Sequence, residues 1–212
     1  RDPLMNASTR KPVSPPPVVL ASASSARAAV LRAAGIDVIL APAHIDEGEI
    51  KQGLLAENAQ AGDAATVLAE LKARRVAAKF PDALIIGADQ ILVCEGEWFD
   101  KPVDIDDARA HLRALRGKTH GLATSAVVLR GGERIWHHIE TPKLTMRSFS
   151  DAFIDDYLAR EGDDALQSVG AYRLEGIGAQ LFTRVEGDFF TILGLPLLPL
   201  IGFLREHGVV AS

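Results

Sequence analysis

Residues 18–35 read VVLASASSARAAVLRAAG, and this stretch decides the fold class. A short apolar run comes first and a serine-rich loop follows. A segment with apolar residues at helical spacing then ends at Gly35, a residue type that is common at helix C-termini. Strand, polar loop and helix in this order form the basic unit of an α/β protein. The stretch therefore predicts a strand over 18–21 and a helix over 26–34.

Outward from this unit, strand and helix patterns alternate, but turns typical of hairpins interrupt the alternation. Hairpins pair strands in antiparallel fashion, whereas strand–helix–strand units pair them in parallel. The predicted fold class is therefore α/β, with a mixed twisted sheet flanked by helices. We predict helices over 64–79, between Asp104 and Gly117, after Ser150 and from about Pro196, and extended segments over 83–86, 91–93, 122–129, 134–146, 180–185 and 189–193.

The chain has 212 residues, of which 48% are hydrophobic, which is enough to bury the core of one large domain. Residues 1–4 precede Met5, which has the character of a native start, so we expect them to be a cloning remnant. The polar, proline-rich residues up to Pro17 are expected to form a flexible arm. The chain thus divides into residues 1–17 and a single domain over 18–212.

The charge balance restricts the partners of the protein. Lys and Arg number 23 and Asp and Glu 28, and the net charge of −5 argues against broad electrostatic binding of polymeric nucleic acid or of a membrane surface. No apolar run approaches the ~18 to 20 residues that cross a bilayer, and the N-terminal residues lack the apolar centre of a signal peptide. We expect a soluble, cytoplasmic protein that holds any phosphate ligand with a local cluster of cations.

Cysteine and histidine usage argues against a metal site built from these residues. The single cysteine, Cys94, excludes a disulfide within the chain and a zinc site of several thiolates, and we interpret it as a small buried hydrophobic residue. The adjacent His137 and His138 would point to opposite faces of a strand. We therefore expect no histidine metal site, while His44 and His120 are candidate bases.

The serine-rich loop before the first helix is a candidate phosphate site. It offers hydroxyl groups at Ser22 and Ser24, unpaired backbone N–H groups and the positive end of the helix dipole. Arg27 adds a bidentate donor one turn into the helix. Serines are also ordinary helix N-caps, so a purely structural role stays open.

Asp89 follows a buried apolar strand and Gly87, and ligands of α/β sheets gather at the carboxyl ends of strands. A carboxylate there can hold a divalent ion or take a proton from water, although a turn Asp that satisfies local backbone is the alternative. Asp46, Glu47 and Glu49 lie in a segment without strong periodicity. Most acidic runs of this kind are solvated surfaces.

Two lysines and a glycine-rich segment complete the candidates. Lys101 and Lys118 each lie beside a tight turn, where a lysine either caps a helix end or binds phosphate. Residues 170–178 do not fit a dinucleotide-binding fingerprint, because no strand precedes them in a strand–helix–strand unit. They suit a loop that closes on a ligand through Arg173 and Glu175, or a structural turn.

Eight collinear stretches from Val18 to Gly208 resemble the Maf family of nucleoside triphosphate pyrophosphatases. Any one of them is a weak signal, but their common order and spacing are specific. They are Leu20-Ala21-Ser22-Ala23-Ser24 with Arg27; Ile45-Asp46-Glu47; Leu68-Ala69 with Lys72-Ala73; Ile86-Gly87-Ala88-Asp89; Lys101-Pro102; Gly117-Lys118-Thr119-His120; Gly170-Ala171-Tyr172 with Glu175-Gly176 and Gly178; and Glu186-Gly187 with Gly194-Leu195-Pro196-Leu197.

The resemblance implies a Maf/inosine triphosphatase-like fold with a central cleft. It also implies hydrolysis of a nucleoside triphosphate to the monophosphate and pyrophosphate, with Mg²⁺ or Mn²⁺ as cofactor. Asp89 matches the proton acceptor proposed for the family, and Glu47 and Asp89 would supply carboxylates for the metal or the attacking water. Cations suit this chemistry, because the leaving pyrophosphate is strongly negative. The implied substrate-binding residues are Ser22, Ser24, Arg27, Lys72, Lys101, Lys118 and Arg173.

Three positions bear on the choice of base. The branch of the family that acts on dTTP and UTP has Arg, Thr and Gln where this chain has Ala26, Gln90 and Glu175. The 7-methyl-GTP branch shares the Gln and the Glu, but it has a large aromatic residue in place of Ala26. A carboxylate accepts the N1–H and amino donors of guanine and suits a positively charged methylated base.

The resemblance therefore favours 7-methyl-GTP, and the enzyme would keep modified or non-standard nucleotides out of nucleic acids. The pair Gln167-Ser168, which replaces an Asp-Lys pair of the pyrimidine branch, is a second argument against that branch. Two alternatives stay open: a dTTP/UTP pyrophosphatase, and a nucleotide-binding regulator of cell division, since the family name is tied to septum formation. A homodimer is suggested by the resemblance alone.

Overall fold

The computed structural model describes residues 14–212. The expected cloning remnant and the part of the expected arm up to residue 13 lie outside the described residues. The first strand begins at Val18, where the sequence predicts that the domain begins.

Within residues 14–212 the strands form one sheet of eight, in the order β2-β1-β3-β5-β7-β8, with β4 paired to β3 and β6 to β5. β1 is parallel to its neighbours β2 and β3, and the other pairs are antiparallel. The predicted mixed sheet is confirmed. The strands are β1 Val18–Leu20, β2 Ile39–Leu40, β3 Leu84–Cys94, β4 Glu97–Phe99, β5 Thr119–Arg130, β6 Glu133–Glu140, β7 Lys143–Met146 and β8 Phe182–Glu186.

Helices flank this sheet, and side chains cap three of them at the predicted positions. Ser24, Asp104 and Ser150 each accept a hydrogen bond from a backbone N–H of the first helical turn. No helix among residues 14–212 has the length and apolar character that crossing a membrane requires. The helices are α1 Ser25–Ala33, α2 Glu47–Ala56, α3 Ala61–Ala77, α4 Ile105–Leu115, α5 Asp151–Glu161, α6 Phe189–Ile192 and α7 Leu197–Glu206, with 3₁₀ turns over 162–167, 169–171 and 177–181.

The central strands β1, β3 and β5 are covered on both faces. Leu31 of α1 and Leu200 of α7 pack on one face, and Ala69 and Ala73 of α3 pack on the other. Burial of these apolar side chains is the main stabilising contribution, at about 25 cal/mol for each Å² removed from water.

Gly87 allows α3 to approach β3 unusually closely. A Cβ atom at this position would lie 2.0 Å from the carbonyl oxygen of Ala69, a distance that no real side chain tolerates. The missing side chain on the strand and the small alanines on the helix therefore set the spacing between the two elements. This spacing places the side chain of Lys72 against Asp89.

Three predicted boundaries are wrong. β3 does not end near Asp89 but runs through it, because β5 supplies an antiparallel partner for each residue over 85–93. The strand predicted over 134–146 is divided into β6 and β7 around Pro142, which has no N–H to donate. The strand predicted over 189–193 is the short helix α6, capped by Asp188.

The acidic segment that lacks strong periodicity contains the helix α2. Its N-cap is Asp46, whose side chain accepts a hydrogen bond from the N–H of Glu49 at 3.0 Å. None of its residues is fully buried, which explains why no apolar stripe marks it in the sequence.

Candidate active site

A cleft opens along the edge of β3 that faces β1. β1 pairs with residues 84–86 of β3 and β4 with residues 92–94, so within the described chain residues 87–91 have no strand partner on this edge. The cleft has a volume of about 700 Å³, and small-molecule sites span roughly 300 to 1,000 Å³. It lies beyond the carboxyl end of β1, where ligands of open α/β sheets bind.

A buried lysine joins two carboxylates at the centre of this cleft. The Nζ atom of Lys72 on α3 lies 2.6 Å from Oδ1 of Asp89 and 2.8 Å from Oε1 of Glu47, the first residue of α2. The side chains of Lys72 and Asp89 are 9% and 6% exposed. Burial opposes ionisation of Glu47, but the neighbouring lysine charges, that of Lys72 first, outweigh it and hold the pKa of Glu47 below its ordinary value. Glu47 is therefore a carboxylate at neutral pH.

The second oxygen of Asp89 differs from the first in its hydrogen bonding. Oδ2 is buried and has no hydrogen-bond partner within residues 14–212. Buried polar atoms in native proteins nearly always have a partner, so an orphaned carboxylate oxygen in a cleft needs an explanation. A water molecule or a hard cation satisfies such an oxygen.

Arg27 lies in the first turn of α1 and is almost fully buried beside the cleft. Its Nε donates to the carbonyl oxygen of Gly194 at 2.7 Å, and its Nη1 donates to Oγ of Ser22 at 3.1 Å. Ser24 caps the helix by accepting from the N–H of Arg27, so the structural role that the sequence left open is observed for this serine. Burial lowers the pKa of Arg27 although nearby carboxylates raise it, and an arginine with so high an ordinary pKa stays charged.

Two further lysines line the cleft. Burial and then repulsion from Arg27 lower the pKa of Lys101. Lys51, which the sequence analysis did not single out, lies 2.5 Å from Oδ1 of Asp100 and 3.9 Å from Oε2 of Glu47. Lys51 follows Glu47 by four residues, the spacing that puts both on one helix face. That signal was present, but only recognition of α2 as a helix could have revealed it.

The three predicted specificity positions also line the cleft: Ala26, Gln90 and Glu175. Asp89 and Gln90 are consecutive strand residues and point to opposite faces of the sheet. Both reach the cleft because it continues around the unpaired edge of β3.

Arg173 lines the cleft but is engaged with acidic partners. Its Nε donates to Oε1 of the buried Glu161 at 2.7 Å, and its Nη2 lies 2.9 Å from Oδ2 of Asp164. The hydrogen bond with Glu161 raises the pKa of Arg173. The guanidinium thereby ties the loop that carries Glu175 to the end of α5, and its contact with a substrate stays a prediction.

The structure does not bring Lys118 or the two candidate histidine bases to the cleft-lining set of the described chain. Lys118 directly precedes β5, next to the turn between β3 and β4, and its Nζ lies 2.7 Å from Oε2 of Glu95 on the surface. His120 is 1% exposed, and burial lowers its pKa to about 4. His44 is exposed.

The family model for Maf-like proteins matches residues 17–207 of the chain. The chain belongs to the Maf family. It is similar to the nucleoside triphosphate pyrophosphatase of Granulibacter bethesdensis, with 57% identity over 90% of this chain and 96% of that protein. It is also similar to the nucleoside triphosphate pyrophosphatase of Rhodospirillum rubrum, with 53% identity over 93% of this chain and 98% of that protein. The identity with the 7-methyl-GTP pyrophosphatase of Rhizobium meliloti is 49%, over 92% of this chain and 98% of that protein. The resemblance on which the sequence analysis rests is confirmed.

The cleft of this Maf-family chain fits a divalent cation only if a ligand completes the coordination. Among residues 14–212, no group of three or more His, Cys, Asp or Glu side chains is placed to hold a metal ion. Mg²⁺, however, commonly takes one or two protein carboxylates together with substrate phosphates and water. The orphaned Oδ2 of Asp89 and the nearby carboxylate of Glu47 match that donor set.

Proposed function

We propose that this Maf-family protein hydrolyses a modified or non-standard nucleoside triphosphate to the monophosphate and pyrophosphate, with 7-methyl-GTP as the favoured substrate. The observation that carries the proposal is the Asp89 carboxylate in a cleft lined by cations, with one oxygen held by Lys72 and the other without a hydrogen-bond partner among residues 14–212. The names of the similar proteins support the reaction, and one of the three reported names specifies 7-methyl-GTP.

Asp89 acts in this proposal as the acceptor of a proton from the attacking water. Lys72 holds the carboxylate through Oδ1, and Oδ2, which has no hydrogen-bond partner among residues 14–212, is left to accept the proton. General-base catalysis of this kind contributes about 10² to 10⁴ in rate. The residue therefore has the chemistry and the placement for the role.

The cations of the cleft bind the triphosphate and stabilise the charge that develops on the leaving pyrophosphate. Arg27 extends from the helix N-terminus, where the dipole also favours an anion, and Lys101 lines the same cleft. Binding by Ser22 and Ser24 is part of the proposal, because both serines line the cleft at this end of α1.

A divalent cation, Mg²⁺ or Mn²⁺, would be held by Asp89 and Glu47 and would neutralise phosphate charge when bound. Glu47 is already a carboxylate at neutral pH. Lys72 lies between the two carboxylates and limits their mutual repulsion before substrate binds.

The reaction is tested with a panel of nucleotides in the presence of Mg²⁺ or Mn²⁺. We expect pyrophosphate and the monophosphate as products, with 7-methyl-GTP turned over fastest, and no orthophosphate. Hydrolysis in H₂¹⁸O locates the attacked phosphorus: label in the monophosphate supports attack at the α-phosphorus. Label in the pyrophosphate, or no turnover of any nucleotide, contradicts the proposal, and a preference for dTTP or UTP would establish the pyrimidine alternative.

A homodimer, a cytoplasmic location and a role in septum formation stay predictions of the sequence. Sedimentation velocity of the purified chain tests the first of these. If the protein affects septation, an effect that persists with Asp89→Asn would favour the regulatory alternative over the enzyme.

A further inference from the structure

The side-chain amide of Gln90 has both of its N–H groups occupied within the protein. Its Nε2 donates to Oγ1 of Thr124 at 2.9 Å and to the carbonyl oxygens of Thr191 at 3.0 Å and Ile192 at 3.3 Å. An amide nitrogen carries two hydrogens. The partners within the protein therefore use the full donor capacity of the side chain.

In the arrangement observed, all three partners act toward the amide as acceptors. The hydroxyl of Thr124 donates its one hydrogen to the carbonyl oxygen of Leu122 at 2.9 Å, so its Oγ1 only accepts. The other two partners are backbone carbonyl oxygens, which carry no hydrogen. A rotated amide would place its own oxygen against two carbonyl oxygens, and the hydroxyl of Thr124 could donate to it only by giving up its hydrogen bond to Leu122.

Burial, strand pairing and further hydrogen bonds hold the residues that supply these acceptors in place. Thr124 is fully buried and lies directly opposite Gln90 in the β3–β5 ladder. Thr191 is also fully buried, and Oδ2 of Asp188 accepts from its N–H at 2.7 Å and lies 2.8 Å from its Oγ1. Oε2 of Glu140 lies 3.0 Å from the same hydroxyl. The short helix α6 is thereby fastened to the sheet, with its carbonyl oxygens facing Gln90.

The remaining capacity of the amide is its carbonyl oxygen. Within residues 14–212 no hydrogen bond reaches Oε1 of Gln90, and the residue lines the cleft. Glu175, also in the cleft lining, offers carboxylate oxygens, which when ionised accept and do not donate. The part of the cleft lined by Gln90 and Glu175 therefore presents hydrogen-bond acceptors.

We propose that Thr124 and Thr191 are positioning residues for base selection, which fix the amide of Gln90 so that only its carbonyl oxygen meets the base. The proposal rests on the proposed function, since it assigns a base to the same cleft. Such a site selects a base that has adjacent N–H donors on one edge. Guanine and 7-methylguanine have them in the N1–H and the 2-amino group. Uracil and thymine present one N–H between two carbonyl oxygens and are disfavoured.

The test compares Thr124→Val, which keeps the shape but removes the acceptor, with Thr124→Ser, which keeps the acceptor. The readout is kcat/KM for 7-methyl-GTP divided by kcat/KM for UTP. Thr124→Val should lower this ratio about tenfold, through KM, because the released amide can turn an N–H toward a uracil carbonyl. Thr124→Ser should stay within about twofold of the wild type.

The same substitution in a Gln90→Ala background shows whether Thr124 acts through the amide. In that background Thr124→Val should leave the ratio unchanged within about twofold, because the group that it positions is missing. A purely structural effect of Thr124 would instead lower the rates with both nucleotides equally and would persist without Gln90. Either of these two results overturns the proposal.

Gln90→Glu is the second variant, and it decides the matter if Thr124→Val does not fold. A carboxylate of the same shape would place an oxygen against the carbonyls of Thr191 and Ile192, so it should lower kcat/KM for 7-methyl-GTP more than Gln90→Ala does. If kcat/KM of Gln90→Glu for 7-methyl-GTP equals or exceeds that of Gln90→Ala, the proposal is overturned. A wild type that releases no pyrophosphate overturns the proposed function alone, and calorimetric dissociation constants of the same nucleotides then decide on Thr124.

Discussion

Two lysine–carboxylate pairs of nearly equal length lie in opposite surroundings in this molecule. The Nζ of Lys72 lies 2.6 Å from Asp89, and these side chains are 9% and 6% exposed. The Nζ of Lys118 lies 2.7 Å from Glu95, and these side chains are 42% and 69% exposed. The family resemblance in the sequence implied that both lysines belong to the substrate site.

The difference shows that burial, rather than the length of an ion pair, determines what a lysine can do. Water and salt screen the charges of an exposed pair, so the attraction between the two side chains is weak. In the buried pair each charge depends on the other, since neither has enough water to replace its partner. Only the buried pair can therefore hold a carboxylate in one orientation next to a ligand.

The largest expected effect is on activity when the buried carboxylate loses its charge. Asp89→Asn keeps the shape but removes the proton acceptor, so kcat/KM for pyrophosphate release should fall by about 10² or more. A melting curve of the variant controls for loss of the fold. Activity within tenfold of the wild type would mean that another group takes the proton.

Removal of the buried cation should be the next largest effect. Lys72→Met leaves Asp89 and Glu47 without their shared partner, and breaking a buried pair in this way costs roughly 3 to 5 kcal/mol. Urea denaturation at neutral pH measures the loss in unfolding free energy. An unchanged midpoint would show that water or ions solvate the two carboxylates and that the pair is not effectively buried.

His120 extends the comparison, because it follows Lys118 by two residues and is nevertheless buried. Burial lowers its pKa from the ordinary value of 6.5 to about 4, so between these two pH values the unfolded chain binds a proton that the folded chain does not. The unfolding free energy that depends on neutral His120 is fully present above pH 6.5. It is lost as the pH falls toward 4, by up to about 3 kcal/mol.

The measurement is the unfolding free energy of the wild type and of His120→Gln between pH 7 and pH 4. The glutamine variant should lose less stability over this range, because it has no group there to protonate. Parallel curves for the two proteins would show that His120 is protonated in the folded state as readily as in the unfolded chain.

Replacement of the exposed lysine should have the smallest effect. Lys118→Met is the matched control for Lys72→Met, and it should leave both the urea midpoint and kcat/KM within experimental error, because the pair with Glu95 is screened by water. A clear increase in KM would instead place Lys118 at the substrate and would remove the contrast between the two lysines.

Local signals in the sequence predicted the parts of the fold that local interactions determine. The strand, loop and helix at 18–35 and the caps Ser24, Asp104 and Ser150 are of this kind. The predicted end of β3 was wrong because the continuation of the strand depends on pairing with β5, about thirty residues further along the chain. The sequence could not separate Lys72 from Lys118 for the same reason: burial is decided by distant elements.

For the candidate site, the family pattern supplied the residues and the structure supplied their arrangement. The predicted substrate-binding, specificity and metal residues other than Lys118 line one cleft, and the two candidate histidine bases do not. Lys51 was missed because α2 buries none of its residues completely and so shows no apolar stripe. The partners of Gln90 were missed because they come from β5 and α6, and α6 was predicted as a strand.

The contact of Gly87 with the carbonyl oxygen of Ala69 also has a consequence for motion. Where backbone meets backbone, no side chain can change rotamer to let α3 slide over β3, so Lys72 and Asp89 move as one rigid body. Glu47 and Lys51 stand on α2, which packs on the core only through half-buried side chains such as Ile50 and Leu54. Hydrogen exchange should therefore be faster in α2 than in α3.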